Sequence, residues 1–266
     1  MDEQANPKQI LLKYNGVVVI QSLPDKELQT GTELYDAIVS RRCTLTGKAA
    51  YFYNPSTKQE FFKALDEICA NVLHDELMPI IHFELHGNPK GLVMKNGDAI
   101  SWQVLQDHCR LINIKTQNQL IVTLATCWGS RIWEMIDITK PAPYWGYIGP
   151  KESILASVLM EDFSDFYDTL LSTENLDSAV AQLKVNGTRS QYIYLSCKAI
   201  FEYHIERKFQ KQQLDKKATF HRLKGKTLEN APGLNRAARR KQLRESIDKL
   251  NRPAFIAKMK KVFLMS

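Results

Sequence analysis

The stretch that decides the fold runs from Gln119 to Ser130 and reads QLIVTLATCWGS. Its unbroken run Leu120–Ala125 is apolar and rich in β-branched residues, and small polar residues follow it. Such a run is typical of a strand that is buried on both faces in the middle of a parallel sheet. Because the chemistry of open α/β sheets collects at the carboxyl ends of their strands, Cys127 stands where a nucleophile is useful. A lone cysteine is also commonly a small buried hydrophobe, and this strand alone leaves both interpretations open.

A second apolar run, Met78–Gly87 (MPIIHFELHG), ends in His86 and Gly87. Two neighbouring strands that end in His-Gly and in Cys-x-Gly bring an imidazole and a thiol to the same edge of a sheet. A cysteine nucleophile needs this arrangement, with a base near the thiol and backbone N–H groups at a glycine turn to hold an oxyanion. Cys127 follows His86 by 41 residues, which leaves room for one hairpin and one crossover helix.

The order of the predicted elements is β-α-β-α-β-(hairpin)-α-β-β-α. The first strands are Gly16–Leu23 and Ala49–Tyr53, and the runs ending at His86 and at Cys127 are the third and the fourth. This alternation predicts a three-layer α/β/α sandwich with a mostly parallel sheet of about six strands. Right-handed crossovers leave the first, third and fourth strands central, so the two strands that carry the candidate chemistry are predicted to be neighbours.

The composition is that of a globular protein, with 44% hydrophobic and 24% charged residues among 266. No apolar run approaches the roughly 20 residues of a membrane span, and the polar N-terminus MDEQANPKQ is unlike a secretory or transit peptide. The five cysteines are scattered without a CxxC pair, so neither a disulfide framework nor a thiolate zinc site is predicted. We therefore expect a cytoplasmic protein without a cofactor.

The charge is unevenly distributed along the chain. Residues 206–266 hold 18 lysines and arginines against 5 acids, whereas residues 1–205 hold 18 against 24. This asymmetry predicts a core, 1–205, and a basic helical C-terminal extension, 206–266. The basic residues can neutralise phosphates, so a nucleic acid or a nucleotide is a candidate ligand. Because aromatic residues are sparse among these charges, a solvated helical face or a lid on the acidic body is the competing interpretation.

The chain resembles the caspase-like cysteine peptidases, a clan that includes caspases, metacaspases, separase and bacterial CHAT peptidases. The resemblance rests on Leu85–Gly87 after one strand and on Ala125–Gly129 after the next. Caspases carry the signature Q-A-C-x-G with its histidine about 50 residues upstream, and this chain keeps the C-x-G half. A hairpin followed by Ile100–Trp102, and the later run APYWGYIGPKES before a helix rich in Phe and Tyr, are also similar to CHAT peptidases. The resemblance covers about residues 16–183.

This resemblance implies a caspase-like fold and a cysteine endopeptidase that acts on a protein or peptide substrate. It implies that Cys127 is the nucleophile, that His86 is the general base, and that the backbone N–H groups of Gly87 and Cys127 form the oxyanion hole. The chemistry is coherent, because an unperturbed thiol of pKa ~8.5 is mostly protonated at neutral pH and a nearby imidazole promotes the thiolate. The clan requires no third catalytic residue, and we name none from the sequence.

The substrate preference stays open at this stage. Clan members that cut after Arg or Lys often carry an acid two residues before the cysteine, where this chain has Ala125. The glutamine of the caspase signature is also missing, and Thr126 stands between Ala125 and the cysteine. Glu152 and Asp162, which follow the fifth predicted strand, are candidate pocket residues for a basic side chain. The alternative is that they are solvated surface acids, since such residues are usually exposed.

His82, Glu84 and His86 alternate along the third strand, so all three face one side of it. Three such ligands can hold Zn²⁺ with an open fourth position. Their side chains, however, point into a layer covered by helices. We therefore expect a hydrogen-bonded core role for His82 and Glu84 and no metal site.

The sequence thus predicts an endopeptidase that uses a His-Cys dyad. Clan members of this size are commonly activated by a partner, and bacterial CHAT-like peptidases are often effectors of antiviral defence. The resemblance therefore implies a signal-gated protease activated by a protein partner or by a nucleotide second messenger, with Arg236, Arg239, Arg240 and Lys241 as candidate contacts for the activator. The alternative is a catalytically inactive caspase-like scaffold that binds a nucleotide or a nucleic acid.

Overall fold

The computed structural model of the chain describes residues 13–185, 191–214 and 253–266, with Asn235, Ala237, Ala238, Arg240, Lys241 and Glu245 between the last two ranges. Two compact units divide the chain. The first comprises residues 1–136 and 143–195, and the second comprises residues 137–142 and 196–266. Across the described ranges, no helix has both the length and the apolar character needed to cross a membrane.

The first unit is an α/β structure built on a mostly parallel sheet. The strand bounds are β1 Gly16–Ser22, β2 Ala49–Tyr53, β3 Pro79–Asn88, β4 Gly91–Val93, β5 Ala99–Ser101, β6 Ile121–Ala125, β7 Gly146–Pro150 and β8 Tyr192–Ser196. The strands lie in the order β2-β1-β3-β6-β7-β8, and a short hairpin of β4 and β5 extends from β3. The prediction that the first, third and fourth main strands are central is confirmed, because β1, β3 and β6 are adjacent and parallel.

Helices cover both faces of this sheet, as the three-layer arrangement requires. On one face the first helices pack against α6, and α6 packs against α7; on the other face α3 packs against α4. The bounds are α1 Thr30–Leu34, a π-helical turn Tyr35–Val39, α2 Ser40–Thr46, α3 Lys58–His74, α4 Trp102–Lys115, α5 Arg131–Glu134, α6 Ala156–Thr173 and α7 Leu176–Val185. The predicted fold class is confirmed at this level of α/β architecture.

Hydroxyl side chains cap the starts of two helices, and the Thr57 side chain accepts a hydrogen bond from the N–H of Glu60 at the start of α3. The Ser101 side chain accepts a hydrogen bond from the N–H of Val104 at the start of α4, which satisfies one of the donors that a helix start leaves unpaired. Thr32 lies inside α1, which begins at Thr30 without a side-chain cap. The Thr32 hydroxyl instead accepts a hydrogen bond from the buried side chain of Gln21, so a tertiary contact replaces the local one.

The second unit contains α8 (Cys197–Leu214), a last helix that we number α9 (Pro253–Leu264), and the segment Asp137–Ala142. The Ala142 N–H donates to the carbonyl oxygen of Phe263 at 2.9 Å, and the Phe263 ring lies 5.7 Å from that of Phe201 on α8. These contacts join the three segments into one unit. The expected boundary at residue 206 falls inside α8.

Candidate active site

The site lies where β3 and β6 end, and the register of the two strands sets its geometry. Their ladder runs from Ile80 opposite Ile121 to Glu84 opposite Ala125. His86 lies two residues after Glu84 in β3, and Cys127 lies two residues after Ala125, in the turn that follows β6. The two residues that the sequence singles out therefore share one edge of the sheet.

Gly87 allows the two strand ends to approach closely. A methyl group on its α-carbon would lie 2.1 Å from the carbonyl oxygen of Cys127 and 2.4 Å from the Thr126 hydroxyl, far inside van der Waals contact. Only glycine fits here, because the backbone of the neighbouring strand occupies the place of a side chain. The Gly87 backbone is thus held against the carbonyl group of Cys127, and the oxyanion-hole role of the two N–H groups stays a prediction.

The nucleophile candidate sits in a tight turn. The Gly129 N–H donates to the carbonyl oxygen of Thr126 at 3.3 Å, which places Cys127 and Trp128 at the two central positions. Trp128 has a φ of 62°, the left-handed region that such turns usually fill with glycine. Holding a bulky residue there costs about 1–3 kcal/mol. The guanidinium of Arg131 lies 5.8 Å from the centre of the Trp128 ring, and an exposed cation–π contact returns only about 0.5–1 kcal/mol.

His86 has a carboxylate partner that the sequence did not reveal. Its Nε2 atom lies 2.7 Å from Oε2 of Glu27, and the two side chains are 51% and 46% exposed. A carboxylate accepts hydrogen bonds, so Nε2–H of the imidazole is the donor in this pair. Within the described part of the chain, no hydrogen bond joins the Cys127 sulfur to the imidazole. Catalytic hydrogen bonds are often long until a substrate binds.

The loop that carries Glu27 is held by polar side chains. The Glu27 N–H donates to the Pro24 carbonyl at 2.9 Å, and the Gln29 side chain donates to the carbonyls of Pro24 and Glu27 at 2.9 and 3.0 Å. The fully buried Gln21 in turn donates to the Gln29 side chain at 2.7 Å. These hydrogen bonds fix the backbone of the loop and thereby position the Glu27 carboxylate.

A buried polar network lies directly below the site on the face covered by α6. One Glu84 oxygen accepts from the Thr30 hydroxyl at 2.7 Å, and the other lies 3.0 Å from Nε2 of His82. Nδ1 of His82 lies 2.8 Å from the Thr123 hydroxyl, which lies 2.8 Å from that of Tyr167. The expected hydrogen-bonded core role of His82 and Glu84 is confirmed, because both are buried and paired.

The same network separates the three residues of the zinc alternative. Both ring nitrogens of His82 are engaged by Thr123 and Glu84 inside the core, whereas His86 is exposed and faces Glu27. Among the described residues, no three His, Cys, Asp or Glu side chains are arranged to hold a metal ion. The alternation that suggested the site therefore reflects one buried pair and one surface residue.

The candidate pocket residues lie in three different environments. Ala125 is buried at the last ladder position, opposite Glu84. Glu152 is exposed in the segment between β7 and α6. Asp162 is only 2% exposed on the inner face of α6 and accepts a hydrogen bond from the Tyr192 hydroxyl at 2.6 Å. The interpretation of Asp162 as a solvated surface acid is therefore wrong.

The basic residues proposed for an activator are described only in part. Arg240 and Lys241 are helical and exposed, whereas Arg236 and Arg239 lie outside the described residues. The contact of these four residues with an activator therefore stays a prediction from the sequence.

The chain was also compared with known proteins. No protein-family model matches it, and no curated protein matches its sequence. The case for a function therefore rests on the residues at the edge of the sheet, on their geometry and on the resemblance of the motifs around them.

Proposed function

We propose that the chain is a caspase-like cysteine endopeptidase whose nucleophile is Cys127 and whose general base is His86. The observation that carries this proposal is the parallel pairing of β3 and β6, since His86 and Cys127 follow its last ladder pair, Glu84 and Ala125, at one edge of the sheet. The hydrogen bond from His86 to Glu27 supports it, because a base needs a fixed ring and tautomer. The resemblance of the motifs Leu85–Gly87 and Ala125–Gly129 to the clan adds the reaction class.

In the proposed reaction, Nδ1 of His86 takes the thiol proton and the Cys127 thiolate attacks a peptide carbonyl. A bond forms between sulfur and carbon, and the N–H groups of Gly87 and Cys127 hold the oxyanion. The carbon–nitrogen bond then breaks as the imidazolium gives its proton to the leaving amine. Water, deprotonated by the same imidazole, hydrolyses the acyl-enzyme and releases the thiol. Glu27 stabilises the imidazolium form between these transfers and thereby acts as a positioning residue.

The experiment that tests this function uses the purified full chain and reduced casein, with and without cyclic and linear oligonucleotides as candidate activators. We expect cleavage that stops in Cys127→Ala and in His86→Ala, while Cys69→Ala stays active because that partly buried cysteine lies on α3, away from the site. Far-UV circular dichroism and thermal melts verify that the variants are folded. Undiminished cleavage by Cys127→Ala would contradict the proposal.

The resemblance to CHAT peptidases extends the proposal to a signal-gated effector of antiviral defence. If this extension is correct, expression of the wild-type chain with its activating signal arrests bacterial growth, and Cys127→Ala relieves the arrest. Growth arrest that persists in this variant would instead favour the second candidate, an inactive scaffold that binds a nucleotide or a nucleic acid. The excess of 18 basic over 5 acidic residues in 206–266 is the observation behind that candidate. A steep salt dependence of DNA binding, with no thiol-dependent cleavage, would support it.

A further inference from the structure

We propose that Trp128 forms an apolar subsite beside Cys127 that takes a bulky apolar side chain of the peptide substrate. This inference rests on the proposed function, since it names a substrate feature for the same site. It makes Trp128 a specificity-determining residue rather than part of the acid–base machinery.

The first argument is the conformation of Trp128. It occupies the left-handed position of the turn that holds the nucleophile, with a φ of 62°. Glycine or asparagine would adopt this conformation at lower cost, and an aromatic side chain there is an outlier. Strained residues of this kind cluster at functional sites, where the strain is offset by what the side chain does. Its one described aromatic contact, with Arg131, offsets only part of that strain.

The second argument is the place of the ring. Thr126 and Gly129, at the two ends of the turn, are buried, whereas the Trp128 side chain next to Cys127 is 44% exposed. A large apolar surface is therefore presented to solvent one residue from the reacting sulfur. Aromatic rings placed in this way contribute contact area at low cost in conformational entropy, which is why they are enriched in recognition sites.

The third argument concerns the chemistry of the ligand. The Arg131 guanidinium already lies 5.8 Å from the centre of the Trp128 ring. A cation therefore occupies the place over the ring where a basic side chain of the substrate would bind. The Arg131 guanidinium is itself paired with Glu134 at 2.8 Å, which holds it in this position. The exposed part of the ring is thus suited to an aliphatic or aromatic side chain.

The test measures the alkylation of Cys127 by two reagents of the same reactivity, iodoacetamide and N-phenethyl-iodoacetamide, with mass spectrometry to quantify each cysteine. The second reagent carries an apolar group that the subsite should bind. Trp128→Asn removes the ring and introduces a residue that tolerates the left-handed conformation of the turn, whereas Trp128→Phe retains an aromatic ring. Cys69, on α3, serves as the reference thiol in every sample.

We expect wild-type Cys127 to react faster with the phenethyl reagent than with iodoacetamide. Trp128→Asn should lower this ratio of rates about 3- to 10-fold, a smaller change than the loss of a fully enclosed pocket would cause. Trp128→Phe should stay within about twofold of the wild type, and the ratio at Cys69 should not change. Trp128→Asn should also melt at the same temperature as the wild type or higher, because the strain is relieved. A preference that is the same in Trp128→Asn and in the wild type would overturn the proposal.

Cleavage of casein by the same proteins separates this inference from the proposed function. If the wild type cleaves casein and the reagent preference does not depend on Trp128, only the subsite is wrong. If the wild type does not cleave casein but the preference depends on Trp128, the peptidase assignment is wrong and the ring stands as an apolar ligand site beside a reactive thiol. If the wild type cleaves casein and the reagent preference depends on Trp128, the mapped cleavage sites of the wild type should be enriched in bulky apolar residues at one position. Trp128→Asn should lose that enrichment.

Discussion

The carboxylate of Glu27 lies 2.7 Å from the imidazole of His86, although 59 residues separate the two in the chain. Glu27 comes from the loop after β1, and His86 comes from the end of the adjacent strand β3. The contact gives the Nε2–H group of the imidazole a carboxylate acceptor.

Glu27→Gln should lower kcat about 10- to 100-fold with little change in KM, because the ring loses the charge that stabilises the imidazolium. This effect is below the full 10²–10⁴-fold of general acid–base catalysis, since a half-exposed ion pair is screened by solvent. Steady-state kinetics measure kcat and KM separately, and a loss confined to kcat distinguishes this role from a purely structural one.

The matched control for this charge change is Glu33→Gln. Glu33 is an exposed acid on α1, and its replacement removes the same charge without touching His86. If both variants lower kcat equally, or if neither does, Glu27 has no positioning role.

Gly87→Ala should abolish activity, because the new methyl group would lie 2.1 Å from the carbonyl oxygen of Cys127. The neighbouring backbone has to shift, which displaces both the nucleophile and the candidate oxyanion hole. A misplacement of about 1 Å is enough to cost 10²-fold in rate. Gly146→Ala on β7 is the control, since its methyl group would meet side-chain atoms only at an ordinary 3.6 Å. Crystal structures and activity assays of the two variants provide the comparison; equal activity would refute the steric argument.

The stability of the protein should fall in alkaline solution. Burial raises the pKa of the Cys109 thiol to about 12 and that of Cys43 to about 11, whereas an unfolded chain ionises its thiols near pKa ~8.5. A raised folded-state pKa contributes stability that is fully present below the unfolded-state pKa and lost as the pH rises through the folded-state pKa. We therefore expect the melting temperature to fall from about pH 9 upward.

Replacing Cys109 with alanine should make this fall less steep, because one thiol that ionises only in the unfolded chain is removed. Thermal melts in the presence of a reductant, between pH 7 and about 11, measure the slope. Cys69→Ala, at a partly buried position, should keep the wild-type slope. An unchanged slope in Cys109→Ala would contradict the prediction.

Tyr192→Phe should destabilise the fold by about 1–3 kcal/mol, because it deprives the buried Asp162 carboxylate of the hydroxyl that donates to it at 2.6 Å. Tyr144→Phe is the matched control. The Tyr144 hydroxyl is buried and has no hydrogen-bond partner among the described residues, so its removal should be neutral or stabilising. Denaturant unfolding measures the free energy of unfolding of both variants, and equal losses would show that the Tyr192 contact contributes nothing.

The sheet was predictable because its information is local. Val17 to Ile20, Ile80 to Phe83 and Ile121 to Leu124 are continuous apolar runs, and such runs are stable only when both faces are covered. The alternation of these runs with amphipathic helices, together with the handedness of crossovers, is enough to order the central strands. The caps of α3 and α4 were predictable for the same reason, since each involves residues only three positions apart.

Local sequence patterns specify the α/β class, the central strands, the presence of His86 and Cys127 at two neighbouring strand ends, and the core role of His82 and Glu84. Tertiary packing alone brings Glu27 to His86 and buries Asp162 against Tyr192. Periodicity specifies which face of an element is buried, whereas a contact between distant polar side chains depends on loop paths and helix positions that no local pattern encodes. Apolar burial therefore sets the framework, and the hydrogen bonds that the framework permits set the environment of the candidate site.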